Sequence, residues 1–222
     1  MPANSPIGVS HRRASARVAA RLRNYRHRTY ARCKLGLDPV YATIADQLGS
    51  SERPLLDIGC GLGLLGLYLR ERGFSGAYRG LDSDASKIAE AGRAARGLAA
   101  FEVEVANAAH ELPPFKGDIA VLDMLHYLGA TDQSRVLRES ATRVSSDGRL
   151  ILRNVVREPN WRFRATVLEE RFARAFRWTP GALHFPTLPE ITAPLLGAGF
   201  NIEARPLWGR TPFNSYLIIA SR

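Results

Sequence analysis

The sequence predicts an α/β fold built on a mostly parallel sheet. Short apolar runs alternate with amphipathic segments along most of the chain, as expected for strands joined by crossover helices. A turn dense in glycine follows the first of these runs, within residues 55–66. The notable polar residues further along fall at the ends of predicted strands, where parallel sheets bind their ligands. The 222 residues, 45% of them hydrophobic, are enough to bury one sizeable core.

The first 37 residues form a basic arm. They contain eight Arg and one Lys but no Asp or Glu, a charge of +9 out of the +10 of the whole chain. Mostly apolar residues recur at spacings of three and four, which predicts one amphipathic helix with arginines on its outer face. The inner stripe is Val18, Leu22, Tyr25, Thr29 and Cys33, and the outer face carries Arg17, Arg21, Arg28 and Arg32.

A second helix is predicted from Asp38 as N-cap and Pro39 in the first turn to Gly49. We therefore expect a helical N-terminal extension, residues 1–50, that covers the site of a single domain, residues 51–222. The outer arginines can be a solvated face, or they can dock an acidic partner such as an acyl carrier protein. RNA and an anionic membrane surface are the other candidate partners.

The elements of the main domain follow from periodicity and turn residues. Strands are predicted near 54–58, 77–82, 101–105, 118–123, 149–154, 200–206 and 216–220. Helices are predicted at 62–72, at 84–96 with Asp84 as cap, at 131–144 with Thr131 as cap, and after a capping box at Thr187 and Glu190. A helical insertion, about 157–186, carries aromatic anchors at Trp161, Phe172, Phe176 and Trp178, and we expect it to roof a substrate pocket.

The glycine turn is typical of a site for a nucleotide-like ligand. Glycines at 59, 61 and 63 remove Cβ atoms where the backbone must turn tightly, and a helix follows directly. Gly61, Gly63 and Gly66 also form the G-x-G-x-x-G pattern of dinucleotide-binding folds, with Asp82 at an offset of 21 residues from Gly61. An NAD(P)-dependent oxidoreductase is therefore one interpretation.

Asp57, two residues before the first glycine, favours a different ligand. A carboxylate aimed at the turn would repel a pyrophosphate, whereas it would attract a ligand that carries an ammonium and a sulfonium group. The sequence thus favours a cationic nucleoside over a dinucleotide.

Four ordered segments resemble class I S-adenosylmethionine-dependent methyltransferases: residues 55–63, 79–84, 105–108 and 117–128. This resemblance implies a Rossmann-like, seven-stranded sheet with an antiparallel last strand and S-adenosylmethionine as cofactor. The cofactor residues that it implies are Asp57, Gly59, Cys60, Gly61, Gly63, Asp82, Ser83, Asn107, Ala108, Asp123 and Met124. Asn107 departs from the family, which more often has Asp there, although an amide oxygen can still meet the adenine amino group.

A narrower resemblance extends over nearly the whole chain. Residues 32–41, 122–128 and 208–216 are similar to methyltransferase-like proteins of aryl polyene pigment pathways, the xanthomonadin type among them. It implies O- or C-methylation of a small aromatic acceptor, or of an aryl polyene bound to a carrier protein.

Methyl transfer needs alignment of the acceptor and, for an oxygen acceptor, removal of a proton. His126, just beyond the fourth strand, is the first candidate for the base or for an acceptor-orienting group, and Tyr127 and His184 are further catalytic candidates. Candidate substrate-binding residues are Arg153, Asn154, Trp161, Arg210 and Asn214. Arginine suits a bidentate grip on a carboxylate.

Other functions have weaker support. An RNA methyltransferase usually carries an Asn-Pro-Pro-Tyr loop, where this chain has Asp123-Met-Leu-His, and a noncatalytic cofactor binder is a further alternative. The histidines lack metal-ligand spacing, and two cysteines, Cys33 and Cys60, indicate no disulfide framework. Because no long apolar run or signal-peptide segment occurs, we expect a cytoplasmic protein.

Overall fold

A seven-stranded sheet forms the centre of the protein. The structure, a computed structural model, describes residues 10–48, 51–175 and 183–222. The strands are β1 (Leu55–Ile58), β2 (Tyr78–Asp82), β3 (Phe101–Val105), β4 (Asp118–Leu122), β5 (Arg149–Val155), β6 (Asn201–Pro206) and β7 (Ser215–Ser221). Their order is β3-β2-β1-β4-β5-β7-β6, and β7 runs antiparallel to both of its neighbours. The predicted Rossmann-like fold is therefore confirmed.

Eight α-helices accompany the sheet in the described part of the chain. They are α1 (His11–Arg21), α2 (Tyr25–Leu37), α3 (Val40–Leu48), α4 (Leu64–Glu71), α5 (Ala85–Ala94), α6 (Ala130–Arg143), α7 (Trp161–Ala175) and α8 (Leu188–Leu196). The predicted insertion helix is α7, but two of its predicted aromatic anchors, Phe176 and Trp178, lie outside the described residues, as does Gly49.

The sheet has an apolar core on each face. On one face α1, α3 and α4 contribute residues such as Val18, Ile44 and Leu65. On the other face α6 and α8 contribute Leu137 and Ile191. All four residues of β1 are buried, as expected of a central strand in a parallel sheet that is covered on both sides. Their burial fixes where the glycine turn begins.

The prediction of one continuous helix in the basic arm is wrong. The chain breaks between α1 and α2, where the Asn24 side chain accepts hydrogen bonds from the backbone of Arg26 (2.9 Å) and His27 and so caps a new helix. The Glu90 carboxylate of α5 accepts the backbone N–H groups of Arg23 and Asn24, which holds the break in place. Tyr25, predicted to lie on the inner stripe, is consequently 77% exposed.

The arginines of the arm do not all face outward. Arg17 and Arg21 form ion pairs with Glu71 of α4, and Arg28 donates to the Leu22 carbonyl. Arg32 is exposed, as predicted, but so is Cys33, which was expected on the inner stripe. Much of the predicted charged face therefore fastens the arm to the domain.

The helix caps agree with the sequence except at one position. Asp84 caps α5 through the backbone of Ser86 and Lys87, and Thr187 and Glu190 form the predicted capping box of α8. The N-cap of α6, however, is Gly129, so Thr131 lies inside the helix. Several residues before a helical pattern can serve as the cap, and in α6 the chain turns two residues earlier than predicted.

Thr187→Ala should destabilise the protein by about 1 kcal/mol, because it removes the acceptor of the capping box while Glu190 keeps its charge. Thr131→Ala is the matched control and should change stability by less than about 0.5 kcal/mol, since Thr131 caps no helix in the described structure. Urea unfolding of both variants measures the difference. An equal loss in the two variants would contradict the assignment of the caps.

Candidate active site

Three glycines give the turn after β1 its shape. Gly59, Gly61 and Gly63 have φ angles of 78°, 55° and 67°, in the left-handed region that only glycine adopts without strain. Gly63 is also the N-cap of α4. A Cβ atom on Gly59 would lie 2.8 Å from the side chain of Met124, so the turn and the loop after β4 are in tight contact. The backbone amides at the start of α4 are therefore presented beside an open, Cβ-free surface.

Asp82, at the end of β2, is hydrogen-bonded to the backbone of this turn. Its Oδ2 accepts a hydrogen bond from the Gly61 amide at 2.8 Å, and its Oδ1 accepts one from the Asp84 amide at 2.9 Å. The side chain stays half-buried, and the adjacent Ser83 is exposed. Each carboxylate oxygen keeps a second lone pair, so Asp82 can still accept hydrogen bonds from the hydroxyls of a sugar.

Asp57 lies beneath the turn, with 2% of its surface exposed. Its Oδ2 accepts a 2.7 Å hydrogen bond from the Tyr78 hydroxyl of β2. Burial raises the pKa of Asp57 to about 7, although the Tyr78 hydrogen bond acts in the opposite direction. A positive ligand placed at this carboxylate would lower that pKa again, so the site has a built-in preference for cations.

The segment after β3 contains the residues that were predicted to contact the adenine. The Asn107 side chain is exposed, and its Oδ1 accepts a hydrogen bond from the Ala109 amide at 2.9 Å. Ala108 is buried. The amide oxygen predicted to meet an adenine amino group thus already shapes the loop, and one lone pair remains for a ligand.

A group of four charges, two of them buried and two partly exposed, lies near the ends of β4 and β5, and we call it the charge quartet. It consists of Lys34, Asp38, Asp123 and Arg153. Burial by itself would raise the pKa of Asp123, but the charges of Arg153 and Lys34 outweigh it and hold that pKa well below its usual value. Arg153 is only 2% exposed and contacts both aspartates, and its predicted role as a substrate clamp stays a prediction.

His126 follows on a short 3-10 turn, Leu125–Tyr127. Its Nδ1 lies 3.1 Å from Oδ1 of Asn154, whose own amide nitrogen donates to the Val155 carbonyl. Since an amide oxygen can only accept, Nδ1 is the donor of this hydrogen bond, and Nε2 is the other nitrogen of the ring. Asn154 is fully buried and orients His126, and its predicted contact with a substrate stays a prediction.

Aromatic rings surround His126. Its ring lies 4.1 Å from that of Tyr127 and stacks on Phe185 at 5.7 Å and 13°, and Phe163 meets Phe185 edge-on at 5.4 Å. The His184 amide donates to the His126 carbonyl at 2.9 Å, so His184 is held beside the same turn through its backbone. Because His126 is only 2% exposed, these rings control access to it.

The remaining predicted substrate residues do not converge on this place. Asn214 is fully buried, and its amide nitrogen donates to the Val156 carbonyl and to Glu158, so it fastens a loop. Arg210 is exposed. Trp161 is 64% exposed, and the neighbouring Arg162 guanidinium lies over its ring at 4.7 Å. The predicted substrate contacts of Asn214, Arg210 and Trp161 all stay predictions.

Several residues of the site were not predicted. Tyr78, Lys34 and Asp38 contact Asp57, Asp123 and Arg153, which are distant in sequence, and sequence patterns do not reveal these contacts. Cys60 was predicted in the turn, where burial raises the pKa of its thiol and so opposes a nucleophilic role. No cluster of His, Cys, Asp and Glu among the described residues has the arrangement of a metal site. The same residues contain no helix that is both long and apolar enough to cross a bilayer.

Comparison with known proteins agrees with this geometry. Residues 55–148 match a family model described as a methyltransferase domain. A magnesium protoporphyrin IX methyltransferase from Synechocystis, with S-adenosylhomocysteine bound, has a TM-score of 0.63 at 19% identity over 99% of this chain and 90% of that chain. No curated protein matches the sequence.

Two further solved structures have the same fold. The mitomycin 7-O-methyltransferase MmcR has a TM-score of 0.66 at 19% identity over 88% of this chain and 56% of its own. The pyocyanin biosynthetic protein PhzM has a TM-score of 0.65 at 20% identity over 92% of this chain and 60% of its own. This chain therefore spans little more than half of the length of either protein.

Asp57→Asn should stabilise the protein at high pH. The pKa of Asp57 is about 7 in the folded chain, compared with 3.8 for an ordinary Asp. Between these pH values Asp57 keeps its proton in the folded state and loses it in the unfolded state, so the folded protein loses stability as the pH rises. The full penalty, about 4 kcal/mol at most, is present above pH 7 and absent below about pH 4. Asparagine carries no charge and still offers an acceptor to Tyr78.

Urea unfolding at pH 5 and pH 8 measures this effect. The stability advantage of Asp57→Asn over the original protein should be larger at pH 8. Asp118→Asn is the control, because Asp118 is also buried but pairs with Arg53. An advantage of Asp57→Asn that is equal at both pH values would contradict the raised pKa.

Proposed function

We propose that this chain is an S-adenosylmethionine-dependent methyltransferase that methylates an oxygen or carbon atom of a small aromatic acceptor in the cytoplasm, because residues 55–148 match a methyltransferase domain and the fold is that of such enzymes. The acceptor is free or bound to an acyl carrier protein. The observation that carries the proposal is the glycine turn, with its three left-handed glycines between a buried carboxylate, Asp57, and a partly exposed one, Asp82.

The residues of the turn fit the cofactor. Asp57 offers negative charge below the turn for the ammonium group, and Asp82 offers lone pairs for the ribose hydroxyls. Ser83, Asn107 and Ala108 would border the adenine. A dinucleotide fits less well, because its diphosphate would approach the Asp57 carboxylate. For this reason an NAD(P)-dependent oxidoreductase is not the function we favour.

S-adenosylmethionine, when bound, supplies an electrophilic methyl group. The chain has to bind the acceptor beside it, align it and exclude water. Asn154 holds the His126 ring through Nδ1, so Nε2 is the nitrogen through which His126 would accept a proton from an acceptor hydroxyl or orient that group. Tyr127 and Phe185 would shield the reacting atoms from solvent.

Two observations support an aromatic acceptor. Rings at Tyr127, Phe163 and Phe185 gather around His126, and flat acceptors bind well between such rings. The names of the similar structures mention magnesium protoporphyrin IX, mitomycin and pyocyanin biosynthesis, which favours a small molecule over nucleic acid. The resemblance to aryl polyene proteins suggests the narrower choice of an aryl polyene head group.

The basic arm suits an acidic carrier protein. Arg12, Arg13, Arg26 and Arg32 are exposed and form no ion pair with any described residue. An acidic protein surface would be attracted to these charges. A carrier-bound acceptor would therefore be delivered from the side of α1 and α2. The same exposed arginines could bind RNA if the protein were an RNA methyltransferase. Binding of RNA that weakens steeply with salt would favour that alternative.

Gly59→Ala should weaken binding of S-adenosylhomocysteine by at least about tenfold, because its Cβ would meet Met124 at 2.8 Å inside the cofactor turn. Gly97→Ala is the matched control, since it has a similar φ of 80° but no atom within 4 Å of the added Cβ, and it should bind normally. Calorimetry with S-adenosylhomocysteine, and with NAD for comparison, measures both. Tight binding of NAD without binding of S-adenosylhomocysteine would overturn the proposal.

His126→Gln should lower kcat by about tenfold or more and leave the affinity for S-adenosylhomocysteine unchanged, because it removes the basic nitrogen close to the acceptor. Mass spectrometry of hydroxylated aryl acids, free and loaded on an acyl carrier protein, detects the methyl gain and its rate. His110→Gln, at an exposed position, is the control. Unchanged turnover in His126→Gln would exclude a direct role for this ring, and cofactor binding with no methylated product in the whole panel would favour a noncatalytic binder.

A further inference from the structure

We propose that Lys34 is a positioning residue that holds Asp123 and, through it, the cofactor turn, so that closure of α2 over the site and cofactor binding favour one another. The proposal rests on the proposed cofactor site and adds to it a residue outside the four segments that imply that site. Lys34 lies on α2, ahead of the residues 55–148 that match the methyltransferase domain.

The charge quartet supplies the contacts that this role requires. The Lys34 ammonium lies 2.8 Å from Oδ2 of Asp123 and 2.9 Å from Oδ2 of Asp38. The Arg153 guanidinium lies 3.1 Å from the same Asp38 oxygen and also contacts Asp123. Each cation thus touches both anions, and the formal charges cancel. Removal of the Lys34 charge would leave two carboxylates facing one buried guanidinium.

The quartet is joined directly to the cofactor turn. Asp123 is not a glycine, yet its φ is 54°, a strained conformation that its ion pairs with Lys34 and Arg153 help to hold. The next residue, Met124, fills the space beside Gly59, where even a Cβ atom would clash. A change in the direction of Asp123 would therefore move Met124 against the turn.

Few apolar contacts hold α2 in place. Only Ala31 and Leu35 of its 13 residues are buried, whereas Tyr25, Tyr30 and Leu37 are exposed. The ion pairs of Lys34 therefore add to the contacts that keep this helix in place, which include its packing against α1 and the Arg210 amide that donates to the Leu37 carbonyl.

Some polar atoms of the charge quartet have no hydrogen-bond partner when α2 is closed over the site. Oδ1 of Asp123 and two nitrogens of Arg153, Nε and Nη2, are buried without a hydrogen bond to any described residue. Each of these atoms disfavours the arrangement in which α2 is closed over the site, because it has lost its hydrogen bonds to water and has gained none to the protein. A ligand that supplies polar partners at the ends of β4 and β5 would shift the balance towards the closed form. The cofactor or the acceptor bound at the adjacent turn can do so.

The test combines calorimetry with hydrogen exchange on the full chain, using S-adenosylhomocysteine as the probe. In the original protein, saturating probe should protect the amides of the turn, residues 59–63, and those of α2. Lys34→Met should bind the probe about tenfold more weakly. At saturation it should keep the protection of the turn and lose that of α2. Lys34→Arg should restore both, because it keeps a charge that can reach the two aspartates.

Arg26→Met is the matched control on the same helix, since Arg26 is exposed and forms no ion pair with any described residue. It should behave as the original protein in both measurements. If Lys34→Met does not fold, Lys34→Gln takes its place with the same expected results.

Two failures of the test are distinguishable. Probe that protects the turn but not α2 in the original protein would overturn the role of Lys34 and leave the proposed function standing. The role of Lys34 is also overturned if Lys34→Met lowers the unfolding temperature but keeps the affinity and the protection of α2, because the residue is then structural only. If the original protein binds no S-adenosylhomocysteine, the proposed function fails, and this inference fails with it.

Discussion

The whole site depends on a backbone turn that only glycine can form at three alternate positions. Gly59, Gly61 and Gly63 all have positive φ angles, and the loop that follows β4 is packed against the first of them. This geometry survives because its surroundings are rigid. Residues of β1 are buried on both faces of the sheet, and the Asp82 carboxylate grips the middle of the turn by its amide. The turn therefore has its binding conformation before a ligand arrives, and the backbone loses little conformational entropy on binding.

Asp57 lowers the stability of the empty protein but favours binding of a positively charged ligand. A carboxylate that is nearly inaccessible to solvent is costly in the empty protein, and its raised pKa reflects that cost. Tyr78 offsets part of the cost by donating a hydrogen bond from the neighbouring strand. A cation bound above Asp57 would offset much of the rest, so the same carboxylate that weakens the fold favours a positive ligand.

The sequence predicts the fold of the main domain well, because strands buried on both faces must be apolar and the turns between them need glycine or capping residues. All of the strands start within one residue of the predicted position, and the capping box at Thr187 is where the pattern indicates. The site is less predictable. Arg153 and Asn154 lie at the end of a strand, as functional residues often do, but their partners, Asp38 and His126, are distant in sequence. A single sequence also does not reveal that Asn24 interrupts the basic arm, since the apolar spacing continues across it.

The placement of β7 has a consequence for how the protein is made. This strand, last in sequence, lies between β5 and β6 and pairs with both. While a ribosome is still synthesising the domain, β5 has no neighbour on that side and β6 has none at all, so the half-built sheet presents bare hydrogen-bonding edges. Productive folding of this half must wait until residues 215–221 emerge from the exit tunnel. A nascent chain at that stage is open to wrong edge pairing, and a chaperone that shields the β5 edge would help it most.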